Sequence, residues 1–126
     1  MAMLSVGTVV MGVEDFSRAV AFWTQALGYV PKREITSEDD YMILVPTTGS
    51  GTHVALDVSR SPVQEHPCVH LDLYAGNAAD QAAEVERLVA LGATRVDWDL
   101  YPEAPDFVVL ADTEGNRFCV IDTVGD

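Results

Sequence analysis

The chain repeats itself. The segment Tyr41–Asp57, YMILVPTTGSGTHVALD, lies over Asp106–Asp122, DFVVLADTEGNRFCVID, at a constant offset of 65 residues and with no gap. Upstream, the helical pattern ending QALG (Gln25–Gly28) answers the one ending VALG (Val89–Gly92). Further up, GTVVMGV (Gly7–Val13) answers VHLDLYA (Val69–Ala75). Two copies of strand, helix and a group of strands are too few for a solenoid, which needs at least three repeats. They suit an α+β fold: two tandem βαβββ modules with pseudo-twofold symmetry, forming a curved sheet around a cleft. Clefts of that kind are common small-molecule sites.

At 126 residues the chain is expected to be one domain. Module one covers about 1–58, a polar linker with two prolines covers about 59–67, and module two covers about 68–126. Cys68 and Cys119 are the only cysteines and form no CxxC pair, which points to a reduced, cytoplasmic protein. The start, MAMLSVGTVVMGVEDF, lacks a basic n-region and reads as a first strand rather than a signal peptide. No apolar run reaches membrane-spanning length. Seven Lys and Arg stand against twenty Asp and Glu, a formal charge of −13. Such a surface repels phosphate backbones and anionic lipid, so nucleic-acid and membrane partners are not expected. It keeps the chain soluble and attracts cations.

Local patterns place the elements. Leu4 to Met11 is a valine-rich strand. Asp15 caps a helix on which Phe16, Val20, Trp23 and Leu27 recur, with Phe22 also in the core, and Gly28 ends it. Strands follow near Tyr29–Ile35, Tyr41–Val45 and Thr52–Val58. In the second copy, Cys68–Ala75 is a strand and Asn77 or Asp80 opens a helix lined by Ala82, Val85, Leu88 and Leu91. Strands near Thr94–Trp98, Phe107–Ala111 and Arg117–Thr123 complete it, with a turn at Asp112–Asn116. The loop Asp99–Asp106 is expected to overhang the cleft.

Alternation sorts the side chains. Val69, Leu71, Leu73 and Ala75 belong under the helices, so His70, Asp72 and Tyr74 share the opposite face. In the last strand Arg117, Cys119 and Ile121 share a face; in the fourth, Thr52, Val54 and Leu56 do. Symmetric pairing of the halves places Thr8, Val54, His70 and Cys119 at equivalent inward positions. His70 with Asp72 two residues along is a candidate acid–base pair, or a structural histidine satisfied by its neighbour. Cys119 is a candidate nucleophile, thiolate ligand or ligand-contacting residue, or a small apolar group within the sheet. Trp98 and Tyr101 border the proline-containing loop and are candidate aromatic walls. His66, in the linker, is expected in solvent.

VEDFSRAVAFWTQALGY, AEVERLVALGA and FVVLADTEGNRFCVID resemble the glyoxalase/bleomycin-resistance/extradiol-dioxygenase proteins, the vicinal oxygen chelate superfamily, and its small glyoxalase-like branch in particular. The resemblance covers essentially the whole chain. It implies metal ligands, in the metalloenzymes, on the first and last strands of each half. Those places hold Thr8, Val54, His70 and Cys119, of which His70 and Cys119 are donors. Catalytic sites generally use three protein ligands, so the expectation is no metal and no cofactor, with one divalent ion as the alternative. The resemblance also implies a homodimer, and exposed sheet edges favour pairing. The expected function is metal-free binding or sequestering of a small aromatic or cationic metabolite or antibiotic in the cleft. The alternatives are a divalent-metal lyase or isomerase resembling glyoxalase I, or a metal-free enzyme using His70 and Asp72.

Overall fold

The structure is a computed structural model and describes residues 2–125. The chain falls into two compact units that meet between Ser61 and Pro62. The first unit holds β1 (Thr8–Val13), α1 (Phe16–Leu27), β2 (Tyr29–Pro31), β3 (Tyr41–Pro46) and β4 (His53–Val58). The second holds β5 (Leu71–Gly76), α2 (Ala78–Leu91), β6 (Thr94–Arg95), β7 (Phe107–Ala111) and β8 (Arg117–Asp122). Each unit is therefore one βαβββ module. Its sheet runs β1-β4-β3-β2 in the first unit and β5-β8-β7-β6 in the second. In both, the first and last strands pair in parallel and the other pairs are antiparallel. The parallel pair follows from the crossover helix between its strands.

The expected helix signals are present. The Asp15 side chain accepts from the Arg18 amide, and Gly28 closes α1 in the left-handed region at φ 67°. Asn77, rather than Asp80, caps α2 by accepting from the Asp80 amide. α1 buries Ala19, Phe22, Trp23 and Ala26, and the Phe22 and Trp23 rings meet edge to face at 5.1 Å. α2 buries Val85 and Leu88, while Ala82 stays exposed. Gln81 of α2 ties the helix to the sheet, its Nε2 donating to the carbonyls of Val120 and Asp106 at 3.0 Å each.

Several strand limits differ from expectation. β1 starts at Thr8 because its partner β4 starts at His53; Met3, Leu4 and Val6 precede it and are exposed. β5 starts at Leu71, so His70 sits just before it and Val69 is exposed rather than packed under α2. β2 and β6 are shorter than expected, at three and two residues.

The first unit also corrects a face assignment. Thr8 lies opposite His53, and Val9 lies opposite Val54. Val54 is therefore not on the face of Thr8. It joins Leu44, Met42 and Leu56 on the buried face, at 4% exposure. His53 takes the place expected for Val54. Three consecutive β4 residues, Val54, Ala55 and Leu56, are buried, so hydrophobicity along this strand does not alternate.

Candidate functional site

The second unit contains a cavity of about 560 Å³, within the size range of small-molecule sites. The β5–β8 register builds its floor. Asp72 lies opposite Cys119, and Tyr74 lies opposite Ile121. Across β8, Cys119 lies opposite Val109, and Ile121 lies opposite Phe107. Alternation thus gathers these six side chains on one face, while Leu71, Leu73, Phe118 and Val120 form the other. The cavity face is apolar at its centre: Val109, Cys119 and Ile121 are buried together, with Trp98 and Phe107 packed against them.

The polar groups stand at one side of this apolar floor. His70 Nε2 lies 3.0 Å from Asp72 Oδ1, and both side chains are half-exposed. A pair this exposed contributes only about 0–1 kcal/mol to stability, so its main consequence is orientation. With Nε2–H donating to the carboxylate, Nδ1 is left as the basic nitrogen of a neutral His70 ring. The Asp72 carboxylate also lies within 4.8 Å of the Cys119 thiol. Burial and the neighbouring Asp72 charge push that thiol up to about 11. Cys119 is therefore a protonated thiol donor at neutral pH, not a thiolate nucleophile.

Donor atoms of His70, Asp72 and Cys119 all lie within 4.8 Å of one another. Beside His70 and Cys119, Asp72 brings a third donor from the next position on the same face. The set suffices in number for a catalytic divalent site. Binding there would require the Cys119 thiol to lose its proton, which makes any affinity pH-dependent. His70 and Cys119 would then be the softer ligands and Asp72 the hard one; the ion would supply a Lewis acid beside the apolar floor.

The loop after β6 supplies the wall. Trp98, Leu100 and Asp106 line the cavity. Tyr101 does not line it. Its ring packs on Phe107 at 5.2 Å, and its hydroxyl accepts from the Val109 amide at 2.8 Å. Tyr101 thereby satisfies a β7 amide beyond the end of short β6 and holds the loop against the sheet. His66 is exposed, as expected, and also lines the cavity: its ring lies 4.9 Å from Trp98 and its Nε2 lies 2.7 Å from Asp99 Oδ1. His66 holds the Asp99 carboxyl below its ordinary value. No sequence spacing signals this contact, which joins the linker to a loop 33 residues away. Of the first-unit candidates, Thr8 is partly buried on the open face of its own sheet, and Val54 belongs to the core.

The model of the glyoxalase-like domain matches residues 8–121, and the chain belongs to that family. No curated protein matches it in sequence. Solved structures share its fold at low identity. A glyoxalase/bleomycin resistance protein/dioxygenase family enzyme from Burkholderia phytofirmans PsJN is 16% identical, with a TM-score of 0.71 over 94% of this chain and 98% of that one. A possible glyoxalase from Bacillus cereus is 16% identical, with a TM-score of 0.69 over 95% and 99%. The fosfomycin resistance protein of Listeria monocytogenes, solved with Mn(II) and 1S,2S-dihydroxypropylphosphonic acid, is 15% identical, with a TM-score of 0.69 over 96% and 90%. Membership in the vicinal oxygen chelate superfamily follows from the family match together with these folds.

Proposed function

We propose that the second unit's cavity binds a compact, partly aromatic, neutral-to-cationic small molecule. The observation that carries this reading is the combination in one cavity of an apolar floor, an aromatic wall and a half-exposed carboxylate. Val109, Ile121 and Phe107 offer apolar surface, and Trp98 with His66 offers a wall for a planar group. Asp72 offers a negative charge beside them, and the chain's charge of −13 attracts cations from a distance in a salt-dependent way. The test is a thermal-shift screen against matched cationic, neutral and anionic aromatics. Cationic or neutral compounds should stabilise the fold, and Asp72→Asn should weaken the cationic ones by roughly tenfold, as loss of a charge-assisted hydrogen bond implies. Stabilisation by anionic compounds alone, unchanged in Asp72→Asn, contradicts the reading.

A second reading is supported by the three-donor cluster of His70, Asp72 and Cys119: a divalent-metal lyase or isomerase. Metal analysis of protein purified without chelator separates the two. Near-equimolar metal that disappears in His70→Ala favours the enzyme; metal well below equimolar favours binding alone.

A further inference from the structure

Arg117 is the one Lys or Arg among the residues lining the cavity, and the reading above leaves it unused. It opens β8 and alternates onto the face of Cys119 and Ile121. Its Nη1 donates to the Gly115 carbonyl at 2.8 Å. Its Nε is buried and has no partner. Arg33, Arg87 and Arg95 each pair with a carboxylate. Arg117 pairs with none among the described residues, in a chain with twenty acids. Glu65, Asp97, Asp99 and Asp112 line a neighbouring cavity that Arg117 also borders, and none of them takes its hydrogen bonds.

A buried guanidinium donor without an acceptor is costly. Nη2, which is not buried and has no partner among the described residues, is the donor left at the cavity wall for something that enters the cavity. A planar fork of donors suits a carboxylate best. Asp72 lies opposite Cys119, and Arg117 stands two residues before Cys119 on the same face. The two charges thus sit diagonally across β5 and β8, with Arg117 and Cys119 roughly 7 Å apart along their strand.

Building on the proposed function, we infer that Arg117 recognises a carboxylate on the cavity's ligand, while Asp72 meets a cationic group on the same molecule. The ligand is an aromatic zwitterion. Net neutrality also removes the long-range penalty that an anion meets on so acidic a protein.

Three probes share one aromatic body: phenylalanine, 2-phenylethylamine, which lacks the carboxylate, and 3-phenylpropionate, which lacks the amine. Calorimetric titration should show phenylalanine binding at least about tenfold more tightly than 2-phenylethylamine, the effect of one charge-assisted contact. Arg117→Gln should bring that ratio to about one, while 2-phenylethylamine still binds at least as tightly as it does to the wild type, which also shows that the variant is folded. Arg117→Lys should recover part of the ratio. A ratio of one in the wild type, or a ratio that survives in Arg117→Gln, overturns the inference while the cavity reading stands. Failure of all three probes overturns both. If only 3-phenylpropionate binds, the Asp72 part and the zwitterion are wrong.

Discussion

The two units share a strand order and a helix, yet expose different chemistry. The first unit's open face carries Thr8, Val10, Gly12, His53 and Ala55. The second carries Asp72, Tyr74, Cys119 and Arg117 with Phe107 and Val109, and His70 beside them. The buried faces are alike: Met42, Leu44, Val54 and Leu56 in one, Leu110, Phe118 and Val120 in the other. Packing requires only apolar residues of about the right volume, so both copies satisfy it. A site requires particular groups at particular positions, and the second copy alone gathers a carboxylate, an imidazole, a thiol and a guanidinium on one open face. Duplication thus supplies two scaffolds, and function can concentrate in one.

The largest expected effect tests the shared part. Leu44 and Leu110 are both fully buried, one in each unit. Leu44→Ala and Leu110→Ala should each destabilise by about 2–5 kcal/mol, the usual cost of a core Leu→Ala cavity, read by urea unfolding. A large loss in one and none in the other breaks the claim that the units rest on equivalent cores.

A smaller effect sharpens the difference. On the face of β4 that corresponds to the cavity face of β8 stands Ala55, whereas β8 carries Cys119, which titrates. Its folded value of about 11 exceeds the ordinary 9.0. The folded state therefore holds this proton between those values while the unfolded state releases it. Stability should fall as pH rises from about 9 towards 11, with the contribution intact below that window. Alkylation of Cys119 by iodoacetamide should stay slow until the same range. Cys119→Val, which removes the titrating group, should flatten the stability profile there. An identical profile in the variant contradicts the assignment.

Much of the fold was legible because it was written twice. The offset defined the modules, and Asp15, Gly28 and Asn77 marked the helix ends. The grouping of His70, Asp72 and Tyr74 was legible from clean alternation in HLDLY. Val54 was misplaced because β4 buries both faces, so alternation lost its signal, and the internal offset then carried Val54 onto the face of Cys119. Asp72 beside Cys119 is a matter of cross-strand register, which one strand's sequence does not encode. His66 against Trp98, and Tyr101 on the Val109 amide, arise where loops fold back, and no local pattern records such contacts.

The central claim is that the ligand site belongs to the second unit. It is tested most directly by following backbone amide resonances while titrating the best compound from the aromatic screen. The account predicts shifts centred on Asp72, Tyr74, Trp98, Val109 and Cys119, and for a cationic compound smaller shifts in Asp72→Asn at the same subsaturating concentration. Shifts centred on Thr8, Val10 and His53 would contradict it.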